Sequence, residues 1–313
     1  PLTLACSIKL LAWLFPRRSM PLGLSWSDYN EALISRGEVL LDVDFVRDWG
    51  CELEGMNYEG KLGRPFEFPD SYIGFVAFLK IGFKLPYRMV QGAVRALSKV
   101  IRIEEMHFTH MRRRILAKKP QLNVEKTDEP LTLVVDSSGL STTGKGAYIE
   151  KMWRKQKRKF VKLHIAVDRK TKKIVEFRVT GSKTADTKKL PPLVKAASKK
   201  NKITRIYADT AYDSRVNFNL LDDMNIEPII KVRRDSTTKA KGSPLRRREV
   251  LLYKRVGYEG WKNLKNYGQR WLVEIVFSAF KRVLGEELFS RKFYAQKLEA
   301  SLKILLYNKF MTI

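Results

Sequence analysis

The chain has 313 residues, enough for two compact domains, and its 44% hydrophobic content marks a folded globular protein. Lys and Arg total 61 against 33 Asp and Glu, a formal net charge of +28. A field of that size destabilises a compact chain by self-repulsion, so it argues against an enzyme of neutral small molecules and for a polyanion partner, nucleic acid being the commonest.

Pro1 to Phe15 is apolar but is interrupted by Lys9, lacks a basic leader and is followed by Arg17 and Arg18. It is therefore not read as a secretory signal, and a cytoplasmic, nucleoid-associated protein is expected. The absence of an initiator Met suggests a trimmed or partial start. No apolar run approaches the ~20 residues of a membrane span. The first third reads as helical. Helices are predicted over Trp26 to Arg36 after a Ser25 or Ser27 cap, over Ser71 to Phe83, and from Pro86 to about Val100. A turn at Ile101 to Glu105 leads into His107 to Leu116, which carries Arg112, Arg113 and Arg114. Helix, turn and short basic helix have the shape of a helix-turn-helix reader of DNA, although a plain helical subdomain has the same pattern. Residues 1–125 are assigned to this helical, DNA-binding region.

Lys118 to Pro130 is polar and reads as a linker, after which the period changes. Strands are predicted at Leu131 to Val135, Phe160 to Val167 and Ile174 to Thr180. A helix (Thr187 to Lys199), a strand (Ile203 to Ala208), a helix (Ser214 to Met224) and a strand (Glu227 to Lys231) follow. Three strands in a meander, then two strand–helix alternations, describe an α/β fold with a mixed β-sheet in the order of the ribonuclease H-like fold. That domain is assigned to 126–313, with a basic, irregular insertion at about 233–263 containing Arg246, Arg247 and Arg248. Two closing helices are predicted, Leu264 to Leu284 and Phe293 to Phe310.

Two cysteines, Cys6 and Cys51, give neither a disulfide framework nor a zinc-knuckle spacing, and three histidines are too few for a His-based centre. Any metal is thus expected on carboxylates, which favours Mg2+ or Mn2+. Cleaving a phosphodiester without a covalent protein intermediate takes two such ions and about three converging carboxylates. Asp136 is expected at the end of the first strand and Asp209 at the end of the fourth, neighbours in a ribonuclease H-like sheet. Both are also ordinary turn formers when taken alone. The third candidate is Glu274. At about 100° per residue, Tyr267, Arg270, Glu274 and Lys281 fall within roughly 60° on one helix face, the simpler reading being an i,i+4 ion pair of Arg270 with Glu274. Asp213 and Asp186 are read as helix caps, Asp168 as a turn former, and His164 as a core histidine that would alternatively face the cleft beside Asp136. Between the first two strands, Gly144 to Lys159 holds Arg154, Lys155 and Arg158 with Tyr148 and Trp153 interleaved, a pattern suited to phosphate tracking or to a solvated hairpin.

The spacing Tyr267, Arg270, Glu274, Lys281 resembles the signature of the DDE transposases of prokaryotic insertion sequences, most closely insertion-sequence family five. Lys162-Leu163-His164 with Val167-Asp168, and Tyr207-Ala208-Asp209-Thr210-Ala211-Tyr212-Asp213, extend the likeness, as do Trp26 to Leu33 and Leu85-Pro86-Tyr87-Arg88. The resemblance implies a catalytic and metal-binding triad of Asp136, Asp209 and Glu274 with two Mg2+ or Mn2+ ions. It also implies that Tyr267, Arg270 and Lys281 meet the DNA end. Arg112, Arg113, Arg114, Arg154, Lys155, Arg158 and Arg247 are the further DNA contacts expected. The implied partners are double-stranded DNA, as element ends and target, and a second copy of the chain; no membrane or small-molecule substrate is implied. A ribonuclease H-fold nuclease without strand transfer, and a non-catalytic DNA-binding protein derived from a transposase, are the alternatives.

Overall fold

The computed structural model describes residues 25–118, 122, 127, 129–142 and 160–312. Arg154, Lys155 and Arg158, with the rest of the Gly144 to Lys159 cluster, lie outside the described residues. The described chain forms two compact units, one of residues 122–291 and one of residues 22–121 with 292–313.

In the helical unit, α1 (Trp26–Leu40), α2 (Trp49–Met56), α3 (Asp70–Gly82), α4 (Tyr87–Leu97) and α5 (Phe108–Ala117) are joined by the last helix of the chain, Phe293–Phe310. Ser25 caps α1 in a full capping box with Asp28, each side chain accepting the other's backbone N–H. The apolar run of α3 explains its central place: Tyr72, Ile73, Val76 and Leu79 are all buried, alongside Val90, Val94, Met111, Ile304 and Leu306. The connection from α4 to α5 spans residues 98–107 and is anchored by Glu105, which accepts from Gln91 and Arg95.

The second unit is a five-stranded sheet in the order β3-β2-β1-β4-β5, built from β1 (Leu131–Ser141), β2 (Phe160–Asp168), β3 (Ile174–Gly181), β4 (Ile203–Ala208) and β5 (Glu227–Ile230). β1 to β3 form an antiparallel meander, and β4 and β5 run parallel to β1. This is the ribonuclease H-like α/β arrangement expected from the sequence. Asp168 makes the β2–β3 turn, accepting from the backbone N–H and hydroxyl of Thr171. On one face Leu133, Val135, Ala166, Ile206 and Ala208 pack with residues of α6 (Leu190–Ser198) and α7 (Arg215–Asp223), notably Leu193, Val194, Phe218 and Leu221.

Four sequence expectations are corrected. β1 does not stop at Val135. It runs on to Ser141 because β2 pairs with it throughout, and its end also bonds the 286–288 segment, through Ser141 N–H to Glu286 and Leu288 N–H to Ser141. The basic stretch is irregular only as far as Ser243, since Pro244 starts a helix, α8 (Pro244–Leu264), kinked where Gly257 takes φ 71°. The expected single helix from Leu264 to Leu284 is broken. Asn266 adopts the left-handed region at φ 49°, a 3₁₀ turn covers Tyr267–Arg270, and α9 (Trp271–Leu284) begins only after it. Finally, Ser214 and not Asp213 caps α7, its hydroxyl accepting from Asn217 N–H.

Candidate active site

The pairing register sets the site. β1 and β4 run side by side up to Val135 against Ala208. One residue further, β4 has ended and β1 continues against β2 alone, with Asp136 opposite Ile165. Asp136 and Asp209 therefore emerge at neighbouring positions where the parallel pair opens, about one strand spacing of ~4.8 Å apart. Carboxyl ends of parallel strands are where open α/β sheets take ligands. Each aspartate holds the backbone N–H that follows it: Asp136 accepts from Ser137 at 2.8 Å and Asp209 from Thr210 at 2.6 Å.

The break before α9 supplies the third side. Tyr267 is only 5% exposed, its ring packs on Trp261 with centroids 4.9 Å apart, and its hydroxyl donates to the Ala208 carbonyl at 3.2 Å. That bond fixes the 3₁₀ turn over the end of β4. Arg270 closes the turn, with one guanidinium nitrogen hydrogen-bonded to Glu274 and another 3.6 Å from the Asp136 carboxylate. Asp136, Asp209 and Glu274 thus converge from three elements that are far apart in sequence. Their mutual influence shows in Asp136. Burial above all pushes its carboxyl up to about 6, Asp209 and Glu274 add to the rise, and Ser137 N–H and Arg270 oppose it.

The three converging groups are carboxylates, a donor set that suits a hard divalent cation. Among the described residues, no group of three His, Cys, Asp or Glu side chains is placed to hold a metal ion, and Arg270 lies between Asp136 and Glu274. The stripe expected on one helix face is therefore divided. Tyr267 faces inward from the turn, Arg270 is tied to two of the acids, and only Glu274 and Lys281 lie on α9, two turns apart. Lys281 sits 3.6 Å from Glu286.

The other side of the sheet carries a cluster that the sequence reading divided among separate roles. His164 pairs in register with Ser137, not with Asp136, so it faces away from the aspartate cleft. It is fully buried, its Nε2 contacts Thr180 Oγ1 at 2.9 Å, and its Nδ1 lies 3.5 Å from Asp186. Burial pulls its pKa down to about 4, against the pull of Asp186. Asp186, expected as a helix cap, instead accepts from Ser137 Oγ at 2.9 Å and Lys162 Nζ at 3.1 Å. Only the Lys162-Leu163-His164 motif hinted at this grouping. Asp213, also expected as a cap, is buried and accepts both Nε and an NH2 of Arg246 at 2.6 and 2.8 Å.

Of the outlying basic residues, Arg112 and Arg113 are exposed on α5, while Arg114 turns inward to Asp70 at 3.0 Å and over the Phe66 ring. Arg247 is exposed on α8, its Nε donating to the Thr238 carbonyl at 3.0 Å. No helix among the described residues is long and apolar enough to cross a membrane.

A family model described as a transposase DDE domain matches residues 127–309, and a second of the same description matches residues 34–145. Among solved structures, the chain is similar to a chain of the cryoEM structure of the simian T-cell lymphotropic virus intasome in complex with PP2A regulatory subunit B56 gamma. The identity is 12%, the TM-score 0.25, and the match covers 65% of this chain and 67% of that one. The first family match spans more than half of the chain and includes both aspartates, Arg270 and Glu274: the chain belongs to the transposase DDE domain family.

Proposed function

We propose that this protein cuts DNA at the ends of a mobile element in a metal-dependent reaction and joins the freed strand to target DNA. The observation that carries the reading is the convergence of Asp136, Asp209 and Glu274 at the open end of the β1–β4 pair, inside a chain of the transposase DDE domain family. The three carboxylates would hold the Mg2+ or Mn2+, as two ions, that the reading requires. When bound, such a pair supplies Lewis acidity on both sides of the scissile phosphodiester. Water oxygen bonds to phosphorus as the bond to the 3′ oxygen breaks, and the proton lost by water balances the one gained by the 3′-hydroxyl. That hydroxyl then attacks a target phosphodiester, releasing a target 3′-hydroxyl in turn.

This chain's own residues do the positioning. Tyr267 holds the turn over β4, and the guanidinium of Arg270 balances the acids in the absence of ions. Lys281, Arg112, Arg113 and Arg247 are proposed as phosphate contacts, with Arg154, Lys155 and Arg158 from the segment between β1 and β2. Arg114, expected at DNA from the helix-turn-helix pattern, and Tyr267, assigned to the DNA end by the resemblance, are proposed to act by holding their elements in place. The helical region, expected as 1–125 and joined by 292–313, is proposed to read the element ends, and the sheet unit within 126–313 to do the chemistry. A homodimer on DNA, expected because two element ends must be held together, and membership of insertion-sequence family five, supported by the signature spacing, complete the reading.

The test is Mg2+-dependent excision of a marked element from a plasmid by wild type and Glu274→Gln, with filter binding to the element ends alongside. Excision lost in the variant while binding persists is the expected result. Binding without any cutting by wild type, in Mg2+ or Mn2+, would replace this reading with that of a non-catalytic DNA-binding protein.

A further inference from the structure

The segment between β5 and α8 is irregular, yet it is firmly held. Arg246 reaches from α8 to the buried Asp213 carboxylate and to Ser236 Oγ at 2.8 Å, and Asp213 also accepts the Arg233 backbone N–H at 3.1 Å. From α7, Arg215 donates to the Lys241 carbonyl at 3.0 Å and Asn219 to that of Gly242 at 2.8 Å. These bonds connect the start of α7, the 233–243 segment and α8 around a cavity of 360 Å³.

The cavity is lined by the cations Arg215, Arg233, Lys239, Lys241 and Arg246 against two acids, Asp213 and Asp235. Asp213 is already matched by Arg246. Among the described residues, the side-chain charges of Arg233, Lys239 and Lys241 have no carboxylate in salt-bridge reach, and all three residues are exposed. A pre-formed, concave site with surplus positive charge suits an anion with several acceptor oxygens. Its position is equally telling. Asp213 lies four residues after Asp209, so their Cα atoms are at most about 14 Å apart, a few nucleotide steps along a strand.

We propose that this cavity binds a backbone phosphate of the DNA a few nucleotides from the phosphodiester that lies at Asp136 and Asp209. Arg233 and Lys239 grip the phosphate oxygens, and the Asp213–Arg246 pair keeps the segment in shape. The assignment rests on the DNA-cleaving reading above. It adds a site to that reading which the triad and its signature do not include.

The experiment uses the full chain and a random-sequence duplex, with binding followed by fluorescence anisotropy over a range of salt. Arg233→Gln/Lys239→Gln leaves every bond that shapes the segment in place. It is expected to bind the duplex roughly tenfold more weakly, with the salt slope shallower by about 1. An unchanged affinity and slope would overturn the proposal. So would calorimetric binding of inorganic phosphate by wild type but not by the variant with duplex binding unaltered, which would make this a free-anion pocket. Should the double variant melt abnormally, Lys239→Gln alone carries the same slope test. A parallel Mg2+-dependent nicking assay separates the two levels. Nicking with identical slopes removes only the pocket, whereas a changed slope without nicking removes only the catalytic reading.

Discussion

Tyr267 donates its phenol hydrogen bond to the carbonyl of Ala208, the residue immediately before Asp209. The turn before α9 is thus bonded to the backbone that leads into Asp209. Tyr267→Phe deletes this bond and nothing else, and is expected to cost about 1 kcal/mol in urea unfolding. Cleavage should slow roughly tenfold, the size of a small displacement of an acid, with DNA affinity unchanged. A matching loss of affinity would show instead that the hydroxyl touches DNA.

Arg270 stands between Asp136 and Glu274, two of the three acids proposed to hold a divalent ion. Its own pair with Glu274 is partly solvated, so Arg270→Gln is expected to lower metal-free stability by less than about 1 kcal/mol. Addition of Mg2+ should then raise the melting temperature of the variant more than that of wild type, because no guanidinium competes for the acids. An equal or smaller rise in the variant would show that Arg270 and the ion do not compete.

The two faces of the sheet respond oppositely to acid. Folded His164 titrates near 4 against an ordinary 6.5, so the unfolded chain binds the extra proton and stability falls as pH drops from 6.5 to 4. Folded Asp136 titrates near 6 against 3.8, so there the folded chain binds the extra proton and stability falls as pH rises from 3.8 to 6. In chelator the two should largely cancel between pH 4 and 6. Asp136→Asn removes the second contribution. Urea titrations should find it more stable than wild type at pH 7, by on the order of 1–2 kcal/mol, and losing stability on acidification. A variant whose stability stays flat through that window would refute the assignment.

Asp213 and Arg246 form an enclosed ion pair in the sheet unit, with the acid's side chain at 0% exposure. Removing one partner leaves a buried charge, so Arg246→Ala is expected to cost about 3–5 kcal/mol and to open residues 233–243 to protease. The exposed pair of Arg205 with Glu227 offers the contrast, and Arg205→Ala should cost less than about 1 kcal/mol. Similar losses in the two variants would mean that the Asp213 pair does not carry the segment.

The sheet was readable because each strand declares itself in a β-branched, apolar run, and the order of the elements then selects the topology. Asp136 and Asp209 could be placed from that order alone. Two things were hidden. The apolar residues from Leu264 to Leu284 keep helical spacing and so read as one helix, although Asn266 and Gly268 are residues that favour a break; Asn266 takes the left-handed conformation and the turn after it brings Tyr267 inward. Side-chain partners across the sheet were hidden as well. Asp186 and Asp213 each precede a helical segment, so local rules make them caps, whereas Lys162 and Arg246, distant in sequence, claim them in the fold.

The final helix, α10 (Phe293–Phe310), packs with α1 and α3 of the helical unit and not within the sheet. The chain leaves that unit, completes the sheet and its acids, and then returns to finish what it began. A chain cut short just after Arg291 would therefore keep every described strand, with Asp136, Asp209 and Glu274, while losing a core piece of the helical unit. It would lack the partner on which α1 and α3 close, so a break placed after the sheet would be felt in the unit that precedes it.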